Sequence, residues 1–251
     1  MIRSLAHAVS LSVLGLALLP PSALAASTQV AVAANFADAA REIAEAFKAM
    51  TGDEAVLSFG STGQFYTQIT QGAPFEVFLA ADDARPKRAV DEGYGIAGTV
   101  FTYAIGQLVL YSTEAGKVTG EDTLKADGFA KIAIANPEAA PYGAAAIEAM
   151  KGLGVYETLQ PKIVQGTSIA QAYQFVETGN AELGFVALGQ VIRAQGGSRW
   201  DVPQSLYTPI RQDAVLLKTG EGNAAAKGFL EFLRSPEAVE IIRRYGYRTG
   251  E

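Results

Sequence analysis

Short runs of small and β-branched apolar residues in this chain break repeatedly into a polar turn and then a helix-period segment, and that recurrence limits the fold more than any other feature. Gln29 to Ala34, QVAVAA, predicts a buried strand. Asn35 follows as an N-cap, and the next residues place Ala40, Ile43, Ala44 and Phe47 on one helical face. The same order returns at 55–59 (turn Gly60-Ser61-Thr62-Gly63, helix from Gln64), at 76–81 (helix from Ala84), at 131–135 (Asn136-Pro137, helix from about Tyr142) and at 162–165 (Gly166-Thr167-Ser168, helix from Ile169). Strands that alternate with helices imply parallel sheets covered by helices on both faces. The class is α/β.

Two strand-like segments, 101–112 and 206–218, are too long for one ordinary strand. If both cross between two sheets, the chain divides into a discontinuous lobe of 27–105 plus 213–251 and an inserted lobe of 106–212. Two crossover strands make a hinge, and the carboxyl ends of the parallel strands, where ligands bind in open α/β sheets, face each other across a cleft. The closing helical segments, 223–233 and 236–247, read as cover for the first lobe.

Residues 1–25 carry Arg3, an apolar run from Val9 to Leu19, a Pro20-Pro21 break and Ala23-Leu24-Ala25, the pattern of an export signal cleaved after Ala25. The apolar run is too short for a membrane span. Removing 25 of 251 residues leaves 226 and takes away Arg3 and the one histidine, His7, so the net charge moves from −6 to −7. The chain has no cysteine at all. Disulfides, thiolate nucleophiles, imidazole bases and Cys- or His-ligated metal sites are thereby excluded from the mature protein, and its negative charge argues against nucleic acid as a partner.

Several motifs are decoys. Gly93-Tyr94-Gly95-Ile96-Ala97-Gly98 fits a dinucleotide fingerprint in letters but follows a helix and leads into a strand, the reverse of the required context. Asp82 and Asp83 stand past a strand end as if paired for acid and base work, yet adjacent residues point apart, and capping or a sheet-edge role accounts for them. Trp200, beside Arg199, reads as packing.

The strand-to-helix turns are the informative feature. Each offers free backbone N–H groups at a helix start, where the helix dipole adds positive potential, and so can hold an anion without a formal cation. Asn35, Ser61 and Thr62, Tyr142, and Ser168-Ile169 occupy four such turns, none of which contains Lys or Arg. Capping explains any one of them. Four together, all following strands, point to a small anion held by neutral donors.

The runs VAVAANFADAAREIAEAF, SFGSTGQFYTQITQGAPFEVFLAAD, FTYAIGQLVLYS, AIANPEAAPYG, ELGFVAL and FLRSPEAVEIIRRYGY resemble the periplasmic molybdate-binding proteins of ABC transporters over nearly the whole mature chain. The resemblance implies a two-lobe type II periplasmic-binding fold, molybdate or tungstate as ligand and a membrane permease as partner, with neither a cofactor nor catalysis; the export signal points to the periplasm, and a monomer is the default for a shuttle. The metal is then bound as an oxyanion, with no side chain coordinating it directly. Position by position, the resemblance places ligand groups at Asn35 with Ala34 beside it, at Thr62 with Ser61 adjacent, and at the backbone N–H groups of Tyr142 and Ile169. Where some relatives carry a binding tyrosine this chain has Ala187, and the Tyr142 phenol is the expected replacement. Two rivals stand beside this reading: a receptor for another tetrahedral oxyanion such as sulfate or chromate, and a secreted hydrolase using Asp82 and Asp83 with Ser61.

Overall fold

The computed structural model describes residues 25–126 and 128–250, so the expected export signal lies almost entirely outside the described residues. In the first sheet, β1 (Ser27–Ala33) runs through the short 3-10 turn Ala34–Phe36 into α1 (Ala37–Thr51). Gly52, at φ 81°, takes the left-handed conformation that ends α1, a position open to glycine because it has no Cβ. β2 (Glu54–Gly60), α2 (Thr62–Thr70), β3 (Val77–Leu79), α3 (Ala84–Asp91) and β4 (Phe101–Gly106) follow. The chain then enters a second sheet: β5 (Leu108–Ser112), α4 (Asp122–Lys125), β6 (Ile132–Ala135), α5 (Pro141–Gly152), α6 (Tyr156–Leu159), β7 (Ile163–Gly166), α7 (Ile169–Glu177), β8 (Leu183–Ala187), α8 (Leu188–Val191) and β9 (Ser198–Asp201). β10 (Ile210–Leu216) returns to the first sheet, and α9 (Ala224–Phe232) and α10 (Pro236–Arg244) close the described chain.

The strand orders are β2-β1-β3-β10-β4 and β7-β6-β8-β5-β9, which makes a two-lobe α/β molecule. The alternating pattern predicts parallel sheets, but both are mixed, because β10 runs antiparallel to β3 and β4, and β5 runs antiparallel to β8 and β9. Those strands carry or adjoin the chain's passages between sheets, and a strand reached without a helical crossover is free to run the other way. Segment 101–112 crosses as expected, β4 and β5 being separated by Gln107 alone. Segment 206–218 contributes its strand only to the first sheet, the return passage being the stretch 202–209 before it. A break in the β10–β4 register between Gln212 and Asp213 marks a bulge in this strand.

Register is what brings the turns together. Ala33 pairs with Gly60 at the carboxyl ends of β1 and β2, so the turns at Ala34 and Ser61 emerge side by side. In the second sheet Ala135 pairs with Gly166, which does the same for the turns leading to Tyr142 and Ile169. The central strands are apolar on both faces: Val30, Ala31, Val32, Ile132, Ala133 and Ile134 are fully buried, which pins each register. Phe229 of α9 and Ile242 of α10 share a core with Val30 and Val32, so the last two helices do cover the first sheet.

Candidate functional site

The two halves meet closely where these turns face one another. Ala34 and Ala81, at the ends of first-sheet strands, are buried in the same apolar cluster as Ala140, Tyr142 and Ile169 of the second half. At the rim, Gly63 N–H donates to Ala139 O at 2.9 Å and Arg85 Nη2 donates to Glu138 O at 2.9 Å. On the opposite rim Arg193 Nη1 donates to the Tyr245 hydroxyl at 2.9 Å. The cleft is closed.

Each turn delivers its polar group in its own way. Ser61 caps α2, its hydroxyl accepting from Gln64 N–H at 3.4 Å. Thr62, at the first position of α2 and buried, accepts from Ala81 N–H at 3.0 Å, and a hydroxyl occupied as an acceptor still has its own proton to give. Pro141 opens α5, so Tyr142 is the first residue of that helix with an N–H to offer. Ser168 caps α7 through Gln171 N–H at 3.4 Å, which leaves Ile169 as the first helical residue, its N–H without an intrahelical acceptor. Gln190 ties this turn to the end of β8, accepting from Ala187 N–H at 3.0 Å and donating to Ile169 O at 3.3 Å.

The structure corrects one local expectation. Asn35 is no N-cap: it lies inside the 3-10 turn, and α1 begins after Phe36 without a side-chain cap. Its amide instead donates to Gln212 Oε1 at 2.9 Å and to the Tyr247 hydroxyl at 3.3 Å, while that hydroxyl donates to Asn35 O at 2.5 Å. Long-range partners outcompete the local cap because all three residues are buried and their polar atoms need partners. The Tyr103 hydroxyl joins the group, sharing its proton between Ala80 O at 3.0 Å and Gln212 Oε1 at 3.1 Å. Gln212 Nε2 donates across the cleft to the Tyr142 hydroxyl at 3.4 Å. Burial pushes the phenols of Tyr103, Tyr142 and Tyr247 above their ordinary range, which keeps all three protonated.

Electrostatically the site is marked, among the described residues, by the absence of a cation and by one buried carboxyl on the neighbouring strand, Asp213. Among the described residues the buried polar set is Thr28, Asn35, Ser61, Thr62, Ser112, Thr123, Gln212 and Asp213, with no Lys or Arg in it. The Asp213 carboxyl, raised by desolvation, accepts from Thr102 Oγ1 at 2.6 Å on the hinge strand. Asp82 and Asp83 do not form an acid–base pair. Asp82 accepts from Arg85 N–H at 2.8 Å and pairs with the Arg85 guanidinium, while Asp83 pairs with Lys87 at 2.6 Å, a hydrogen bond that holds its carboxyl below the usual range. The glycine-rich 93–98 segment is a turn after α3, as its context indicates.

The model of the bacterial extracellular solute-binding protein family matches residues 28–248. The chain belongs to this family. Within it, the molybdate-binding protein ModA of Rhodobacter capsulatus is 58% identical over 99% of this chain and 97% of its own length. ModA of Azotobacter vinelandii is 53% identical, covering 93% of this chain and 94% of that protein. The solved periplasmic molybdate-binding protein of Azotobacter vinelandii superposes with a TM-score of 0.87 at 40% identity, over 89% of this chain and all of that one. Among the described residues no helix is long and apolar enough to cross a membrane.

All six sequence-derived positions, Ala34, Asn35, Ser61, Thr62, Tyr142 and Ile169, are buried where the two halves of this solute-binding protein meet. Gln212, Tyr103, Tyr247 and Gly106 escaped the sequence reading. One clue was available: Gln212 and Asp213 stand next to the apolar run Ala214–Leu216 in one strand, and polar residues carried into a buried strand mark a hydrogen-bonded site.

Proposed function

We propose that this protein is the exported receptor of an ABC transporter, capturing molybdate, and tungstate with it, and handing the ion to a membrane permease. The observation that carries this reading is the neutral lining: amide and hydroxyl donors from both halves converge on one buried region without a cation. A tetrahedral dianion suits such a site, because donors of fixed direction select an ion by its size and shape, and a ligand without a counter-charge is released when the halves part. The Asn35 turn with Ala34, the Thr62 hydroxyl beside Ser61, the N–H and phenol of Tyr142, and the Ile169 N–H supply the donors. Six or seven charge-assisted bonds at a net ~1.5 kcal/mol each sum to ~10 kcal/mol, a submicromolar dissociation constant before closure costs.

In this reading the lobes are 27–105 plus 213–251 and 106–212, hinged at Gln107 and at the bulge beside Gln212. The protein acts as a monomer in the periplasm after cleavage behind Ala25, needs no cofactor, and takes the metal as oxyanion cargo. Catalysis has no support: the ion-paired Asp82 and Asp83 and the capping Ser61 lack a base to activate a nucleophile. Isothermal titration tests the reading. Molybdate and tungstate bind tightly and sulfate much more weakly; sulfate binding as tightly as molybdate overturns the choice of ligand.

A further inference from the structure

Gln212 is fully buried on the bulged hinge strand, 177 positions from Asn35 in sequence, and touches polar groups of both halves at once. Its oxygen faces Asn35 Nδ2 at 2.9 Å, which orients the amide so that its nitrogen faces the Tyr142 hydroxyl at 3.4 Å. A phenol that receives a hydrogen bond there keeps its own proton for another acceptor. Gly106 makes room for the arrangement, since a Cβ at that position would lie 2.0 Å from the Tyr142 hydroxyl oxygen and 2.7 Å from Gln212 Nε2.

We infer that Gln212 is the positioning residue of the anion site, fixing the Tyr142 hydroxyl as a donor into the cleft and linking that donor to Asn35 across the hinge. The inference rests on the oxyanion reading above. It assigns Gln212 no direct contact with the ion. The Gln212 amide is the polarity switch of the network: an acceptor in place of its nitrogen would draw the Tyr142 proton away from the ligand.

Gln212→Glu makes that exchange in the same volume and adds a carboxylate whose charge depends on pH. Molybdate titrations of the wild type and of this variant between about pH 5.5 and 9 provide the test. The wild type binds with constant affinity. The variant binds best when the buried carboxyl is protonated and at least roughly tenfold more weakly once it ionises, because the carboxylate both recruits the Tyr142 proton and repels the dianion. A structural role alone would leave only the charge repulsion, so that the same pH dependence would appear with Tyr142→Phe beneath it; a larger loss when the Tyr142 hydroxyl is present marks the positioning role. A folded Gln212→Glu protein whose affinity is as flat with pH as the wild type overturns the inference. Should that variant fail to fold, a double-mutant cycle of Gln212→Met and Tyr142→Phe replaces it: coupled losses support the inference and additive losses sink it. A wild type that does not bind molybdate overturns the ligand assignment and this role with it, whereas a binding wild type with a pH-independent variant removes only the role of Gln212.

Discussion

The two halves share a strand order but reach the cleft by different chemistry. From the first sheet Thr62 presents a side-chain hydroxyl whose acceptor side is filled by Ala81 N–H, while the Asn35 amide is spent on Gln212 and Tyr247 and holds its turn in place. The second sheet relies on backbone, because Pro141 and Ser168 set the starts of α5 and α7 so that the N–H groups of Tyr142 and Ile169 lead, with the Tyr142 phenol as the one side chain added. In the proposed site polar side chains therefore mark one half, while in the other a residue as apolar as Ile169 would offer its N–H to the anion. What matters there is where the helix begins.

The sharpest break of this contrast is Gly143→Ala. A Cβ there would lie 2.1 Å from Ala135 O, a backbone atom that cannot step aside, so the start of α5 must move off β6. The expected cost is about 3 kcal/mol of stability, with Tm lower by roughly 6 to 12 °C in a thermal melt, and a loss of molybdate affinity beyond what the melt explains. A variant that binds as tightly as wild type would show that α5 backbone placement does not matter.

Next comes Ile169→Pro. Proline is well tolerated at the first helical position, and Ser168 before it already has the extended conformation that a following proline requires, φ −144° and ψ 170°. The substitution removes one N–H and leaves α7 in place, so affinity falls by about 1.5 to 3 kcal/mol while the melt barely changes. Ile169→Val, which keeps the N–H, is expected to bind as wild type does. Equal losses in the two variants would locate the contribution in the side chain.

Thr62→Val asks the complementary question of the first half. It deletes a donor that the charged ligand needs and leaves Ala81 N–H without its acceptor, so calorimetry is expected to show a loss of about 1.5 to 3 kcal/mol, with Thr62→Ser nearer wild type. The smallest expected effect is that of pH. The expected donors are amides, a threonine hydroxyl and a phenol pushed up by burial, so no donor changes charge, and affinity stays level from about pH 6 to about 9. For the raised Tyr142 phenol the neutral, donating form persists past the ordinary phenol pKa and is lost only at higher pH. A titration step near neutrality would reveal an ionisable protein group among the contacts of the anion.

Much of this was legible locally. The alternation of apolar runs with helix-period segments marked the strand-to-helix turns because each depends on residues within a few positions of one another, and the Pro141 and Ser168 starts follow from the same short-range rules. Local reasoning failed at Asn35, whose type suits an N-cap but whose amide is claimed by Gln212 and Tyr247, the latter 212 positions away. It failed again at the direction of β5 and β10, because strand direction in a mixed sheet depends on where the chain re-enters.

The sequence by itself therefore determined an α/β chain without cysteine, with its polar turns placed after buried strands and no cation among them. Only the tertiary structure decided which of those groups face a common cleft, which hydroxyls have their acceptor side filled, and that a glutamine on the hinge strand joins the two halves. The physical reason is one of range. Propensity and capping act over a turn or two of chain, whereas the partners of a buried polar atom are chosen by how two sheets pack, and burial makes that choice compulsory.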